Sequence, residues 1–205
     1  MKFIIIMILA LPYTVFARPV SYPDSWTIMQ QNNSDEHRLH LHYSPNASNS
    51  LGIVIRQFKE HNDKTLSSAV QWNHLLARRN APRSQANVYS KLQVGINDEF
   101  DDTVYAQWNL SSDWETRRVF TAHDAKLLVH RNDVVTEQSL RLGVAPYLGD
   151  YGDLHTWLMV NVDHTPSNTD KVTVTPLIRL FKGNYLVEIG VSDDGDALVN
   201  WIIRL

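Results

Sequence analysis

Nine histidines occur among the 205 residues, and three of them, His37, His40 and His42, lie close together in the segment RLHLHYSP and just before it. On an extended strand His40 and His42 project from one face, opposite Leu39, Leu41 and Tyr43, about 7 Å apart because same-face side chains recur every second residue. Two imidazoles so placed can share copper or zinc, with His37 or a residue from a neighbouring strand completing the shell. Polar side chains facing solvent or a lumen would produce the same pattern. A second group comprises Asp153, His155, Asp163 and His164. A carboxylate near an imidazole can orient a base, as hydrolases require. The chain nevertheless lacks a Gly-x-Ser-x-Gly elbow and a His-Glu-x-x-His helix, so neither common hydrolase motif applies. Asp and His paired for structural reasons at a strand end give the plainer reading.

Composition removes other chemistries. There is no cysteine, so thiol catalysis and thiolate metal sites are excluded. The net charge is −3 and no long basic run exists to track a phosphate backbone, which argues against a nucleic-acid partner. Asp101 with Asp102, and Asp193 with Asp194 and Asp196, offer hard oxygen ligands, but neither group follows the spacing of a calcium loop. Tight turns select Asp and Gly anyway. Asn-x-Ser sequons start at Asn32, Asn46 and Asn109; patterns this short arise by chance.

These residues need strands to position them. Candidate strands recur along the chain at 26–31, 38–43, 51–58, 69–76, 87–96, 104–110, 117–123, 126–130, 140–148, 154–164, 172–181, 185–192 and 197–205, each bounded by a polar turn. The fourth has a helical alternative, because residues 66–79 place Val70, His74, Leu75 and Arg78 at helical spacing without Gly or Pro. Merging the pieces around residue 120 leaves about twelve strands, an even number between about ten and fourteen. Asp193 to Asp196, with Gly195, and Lys182, Gly183 and Asn184 read as hairpin turns. Consecutive hairpins make antiparallel neighbours, so the expected fold is all-β, an antiparallel up-and-down β-barrel.

The start of the chain reads as an export leader. Lys2 precedes an apolar run, Pro12 cuts that run short of a membrane helix, and Val15 and Ala17 suit a cleavage site. Residues 1–17 are therefore expected to be a signal peptide and 18–205 a single barrel domain. Alternation then shows two faces. Val172, Val174, Pro176, Ile178 and Leu180 oppose Thr173, Thr175, Leu177 and Arg179; Tyr185, Val187, Ile189 and Val191 oppose Glu188. A soluble barrel turns the apolar face inward. A membrane barrel turns it outward and keeps Arg179, Glu188, Arg204, His155 and Asp163 in a polar lumen. Segment lengths near nine to eleven residues suit a bilayer crossing, and six tryptophans and eight tyrosines suit aromatic girdles. Pro176 argues the other way, since within a strand it removes a ladder bond.

The last residues add a resemblance. Ala197, Val199, Trp201, Ile203 and Leu205 share one face, and this ending resembles the terminal strand of outer-membrane β-barrels, although that pattern favours a final aromatic. RLHLHYSP at 38–45, GVAPYLGDYGDLHTWLM at 143–159 and residues 176–205 are similar to a group of uncharacterised exported proteins of Gram-negative bacteria. That resemblance implies an outer-membrane location and an association with metal-resistance gene neighbourhoods, and it supplies no catalytic residues. The leading expectation is a small outer-membrane barrel with a channel, transport or binding role and a link to metal-ion handling. Its partners would be outer-membrane lipid, the barrel-insertion machinery and a small ion or solute. A soluble periplasmic ligand-binding protein and an outer-membrane hydrolase are the alternatives.

Overall fold

Tight turns between alternating segments return the chain on itself, so each new strand pairs with the one before it. The computed structural model describes residues 20, 22–33, 36–59, 66–97, 103–131, 133–150, 152–166 and 170–205. The expected leader and the acidic pair Asp101 and Asp102 lie outside them. Twelve strands follow in chain order: β1 (Ser25–Asn32), β2 (Glu36–Asn46), β3 (Asn49–Phe58), β4 (Leu66–Ala81), β5 (Ser84–Asn97), β6 (Thr103–Thr116), β7 (Val119–His130), β8 (Asp133–Val144), β9 (His155–Thr165), β10 (Lys171–Lys182), β11 (Tyr185–Val191) and β12 (Ala197–Arg204). Every neighbour is antiparallel and the sheet closes through β1 and β12 into one barrel. The all-β barrel expected from the hairpin pattern is the fold observed.

Some boundaries differ from those read in the sequence. The segment with helical spacing is strand β4, whose Ser67, Ala69, Gln71 and Asn73 are buried while Leu66, Val70 and Trp72 are exposed; period two, not 3.6, sorts its side chains. The pieces at 117–123 and 126–130 are one strand, β7. Strand β8 starts at Asp133 and ends at Val144, so Leu148 lies in the following loop rather than on the strand. Glu137 and Ser139 point the same way as Arg141, and that mixed polarity hid the first half of β8.

Closure uses the terminal strand as its alternation suggested. Thr27 pairs with Arg204, Met29 with Ile202 and Gln31 with Asn200, and Trp26 and Leu205 exchange two backbone hydrogen bonds, each 2.9 Å. Sealing the sheet leaves no strand with an unpaired edge. Odd-numbered strands begin, and even-numbered strands end, at the rim that carries the closing residues. Gly183, at φ +58°, forms the reversal between β10 and β11 on that rim, where a residue with a Cβ would be strained.

The side-chain faces resolve the choice left open by alternation. On β11, Leu186, Glu188 and Gly190 are buried while Tyr185, Val187, Ile189 and Val191 are exposed. On β12, Asn200 and Arg204 are buried and Val199 and Leu205 are exposed. The apolar face is the outer face all the way round, with Leu51, Ile53, Val94, Val104, Leu140, Leu142, Leu158 and Ile178 among its exposed residues. Pro176 sits on that outer face in unbroken register with Val160, so its missing N–H leaves the register intact. Trp26, Trp72, Trp108, Trp114 and Tyr185 are exposed on the outside, and Trp26 lies 5.3 Å from Tyr43 between ring centroids. Trp157 is the exception, buried inside.

The interior is packed and not uniformly polar. Phe120, Ala145, Trp157, Met159 and Leu177 form one buried apolar cluster, and Val54, Ala69 and Tyr105 form another. Phe120 and Trp157 come just after the starts of the odd strands β7 and β9, so the first cluster fills the lumen near the closing rim. Gly52 is an inward-facing glycine with a steric reason: a Cβ there would lie 2.1 Å from the Leu41 carbonyl oxygen and 2.5 Å from His42 Cβ.

Candidate functional site

With the apolar side chains turned out, the lumen collects the polar ones, because each strand sends every second residue inward. Two sectors of the wall carry distinct arrangements. The first runs from β8 to β12. Glu188 on β11 accepts hydrogen bonds from Arg179 Nε at 2.7 Å, from Arg141 Nη1 at 3.0 Å and from Asn200 Nδ2 at 2.9 Å. Arg141 Nε donates to Asn161 Oδ1 at 3.1 Å, and the Arg179 guanidinium lies 4.9 Å from the centroid of the Phe120 ring, a cation–π contact. Arg179 and Glu188 are each about 4% exposed, so two guanidiniums, a carboxylate and two amides form a closed network.

The second sector is the inward face of β1, β2 and β3. Register places Thr27 beside His42, and Met29 beside His40. It also sets Arg38 opposite Arg56, and His42 opposite Gly52. Arg38 pairs with Glu36, and Arg56 approaches the same carboxylate at 3.9 Å. Arg56 Nη2 donates to Gln93 at 2.9 Å and to Gln107 at 3.0 Å. From there hydrogen bonds continue through Asn109 to Asp124, which also accepts from Lys91 at 2.8 Å. Yet Thr27 Oγ1, Arg38 Nε, His40 Nε2, His42 Nε2 and Arg56 Nε are all buried with no hydrogen-bond partner. Leaving a buried donor unsatisfied costs about 1–3 kcal/mol. This sector leaves buried polar atoms on β1 and β2 open to a further partner.

The positions singled out from the sequence divide accordingly. His40 and His42 do share the inward face, as their spacing indicates, but His37 points outward, where its Nδ1 lies 2.7 Å from Asn32 Oδ1. The three histidines therefore do not converge, and among the described residues no group of three His, Cys, Asp or Glu side chains could hold a metal. The groups acting most strongly on His40 are Arg38, Arg56, His42 and Lys91, all bases. Asp163 and His155 both face the lumen but stand at opposite ends of β9, about 26 Å apart at strand rise. His155 packs 6.1 Å from Phe181 and Asp163 accepts a hydrogen bond from Asn161. His164 faces outward and pairs with Asp170, while Asp153 caps a turn by accepting from the Asp150 backbone. The hydrolase grouping does not assemble. Arg179, Glu188 and Arg204 are buried on the inward side of their strands.

Other lumen residues escaped the sequence reading. Arg56 follows Leu51, Ile53 and Ile55 in strict alternation, and that period could have placed it inward. Arg38 shares the face of His40 and His42, and Arg141 opposes Leu140 and Leu142, by period two alone; their partners across the sheet needed the register.

The backbone architecture has known counterparts. The barrel is similar to the KdgM porin. Structures of that porin, alone and "in complex with disordered oligogalacturonate", superpose with TM-scores of 0.55 and 0.54 at 11% and 10% identity. The matches cover 87% and 88% of this chain, and 98% and 97% of the porin chains. Identity that low establishes a shared fold and nothing finer. No protein-family model and no curated protein matches the sequence.

Proposed function

We propose that the protein is an integral outer-membrane β-barrel that binds or passes a small polar solute. The observation that carries this reading is the closed barrel with an apolar exterior and a charged interior. In water that exterior would be a continuous hydrophobic surface far beyond what monomeric soluble proteins expose. In a bilayer it is matched to the acyl chains, and closure satisfies the backbone that lipid cannot solvate. The likeness to KdgM, a porin, supports a channel class. Nearly complete burial of Arg56, Arg179 and Glu188 favours a narrow or gated path over a wide aqueous pore. Export by a leader at 1–17 and assembly by the barrel-insertion machinery belong to the same proposal.

A metal-ion cargo has less support. His40 and His42 have unpaired Nε2 atoms, but their surroundings are basic. A soluble periplasmic role is disfavoured by the exterior, and a hydrolytic one by the separation of His155 from Asp163.

The short strands at the seam refine the membrane reading. Strands β11, β12 and β1 have seven, eight and eight residues, and at a tilt near 40° such strands span roughly 18–20 Å. The apolar band of an outer-membrane barrel is about 25 Å tall, so lipid next to the seam should be locally thinned.

Membrane flotation and planar-bilayer recording test the proposal. The expected result is co-flotation with outer membranes after carbonate washing and small, discrete conductance steps. Recovery of the chain in the soluble periplasm without detergent would overturn it.

A further inference from the structure

We infer that the inward face of β1–β3 is a binding site for an oxyanion, a carboxylate or a phosphate group carried by a solute in the lumen. This rests on the reading of the protein as a solute-handling barrel and names the class of solute.

Three observations converge on it. Thr27 Oγ1, Arg38 Nε, His40 Nε2 and His42 Nε2 are buried without a hydrogen-bond partner, and register sets their side chains side by side on β1 and β2, with Arg56 opposite Arg38 on β3. Hydroxyl and guanidinium N–H groups donate, and an imidazole nitrogen donates when it carries the proton, so the group that completes them must be rich in acceptors. Charge points the same way. Three cations, Arg38, Arg56 and Lys126, face two carboxylates, Glu36 and Glu137, and Lys91 also acts on His40. Arg204 acts likewise on His42. A bare divalent cation would meet repulsion there, whereas a carboxylate or phosphate oxygen would meet charge-assisted donors, the strong class of hydrogen bond.

The third observation concerns access. Thr27, His42 and Arg56 are at least nine-tenths buried, but the Arg38 side chain retains 19% exposure. Gly52, directly across from His42, adds no side chain to cover the imidazole. Arg38 is the most exposed member of the set. The β8–β12 sector cannot serve in the same way, because Glu188 already occupies the donors of Arg141, Arg179 and Asn200.

The test is a titration of the full chain, refolded in detergent micelles and followed by the ring resonances of His40 and His42. The probes are inorganic phosphate, D-glucuronate, glucose and zinc. Saturable shifts with phosphate or glucuronate, none with glucose, and affinity reduced about tenfold or more in Arg38→Gln and Arg56→Gln are expected. Preference for phosphate would mark an inorganic oxyanion as the solute, and preference for glucuronate an acidic sugar. Either supports the inference. Three results would overturn it: no shift with either anion, which leaves water as the partner of these donors; shifts with zinc alone; or variants that bind as tightly as the parent. Should Arg56→Gln fail to fold, Arg38→Gln and the parent titration still decide. Flotation is scored separately. Anion binding by a chain that does not enter membranes would sink the membrane reading alone, and a membrane-inserted chain that binds no anion would sink this inference alone.

Discussion

The two charged sectors of the lumen share one barrel and one alternation rule, yet they settle their buried charges differently. In the β8–β12 sector a single carboxylate, Glu188, is held by two arginines and an asparagine at 2.7–3.0 Å. In the β1–β3 sector two arginines share Glu36, and polar atoms of Thr27, Arg38, His40 and His42 stay without hydrogen-bond partners. The difference separates structural charge from functional charge. A closed network fixes strands in place and has little left to offer a visitor; an open set of donors costs stability and is kept only if something else is gained.

That contrast can be broken by substitution. The largest effect is expected for Glu188→Ala, which strands Arg141 and Arg179 in the interior and should cost about 3–5 kcal/mol. Urea unfolding from lipid vesicles reads it directly, and a loss under about 1 kcal/mol would mean that water, not Glu188, satisfies those guanidiniums. Next comes the outside of the same strand. Ile189→Arg places a charge on the lipid-facing side and should destabilise the barrel by about 2–4 kcal/mol near the bilayer midplane, whereas a neutral result would argue that residue 189 does not meet lipid. The smallest effect falls in the donor-rich sector. His42→Leu removes a buried imidazole whose Nε2 has no partner, so stability should be unchanged or raised by up to about 1 kcal/mol. A loss of several kcal/mol would show that His42 is as structurally engaged as Glu188, and the contrast between the sectors would disappear.

Much of this barrel could be read from local pattern. Residues of β10, β11 and β12 alternate so cleanly that period two alone sets Arg179, Glu188 and Arg204 opposite the apolar side chains of their strands. Local pattern failed where inward residues are mixed. On β7 the inward set includes Phe120, Ala122, Asp124, Lys126 and Leu128, so neither face looks uniformly polar and one strand was read as two. The direction of the apolar face is not legible from alternation, which is identical for a barrel turned inside out; the closed sheet and the exposure of its two faces decide it. Site geometry was legible in halves. The shared face of His40 and His42 follows from period two, and the same rule places His37 on the other side of the wall. Arg56 lies opposite Arg38 through the β2–β3 register, and Arg141 reaches Glu188 across 47 positions of sequence. Contacts of that kind belong to the register of the whole sheet.

The central claim is that odd-numbered positions of β11 meet lipid and even-numbered ones face the lumen. The chain contains no cysteine, so single cysteines at positions 185, 186, 187, 189 and 191 can each carry a nitroxide label; Glu188, which holds two arginines, and Gly190, where a Cβ would lie 2.6 Å from the Pro176 carbonyl oxygen, are left in place. The account predicts that, in vesicles, oxygen dissolved in the bilayer relaxes labels at 185, 187, 189 and 191 strongly, while a label at 186 is shielded from it. Uniform accessibility to a water-soluble nickel reagent at the odd positions, or the opposite alternation, would contradict it.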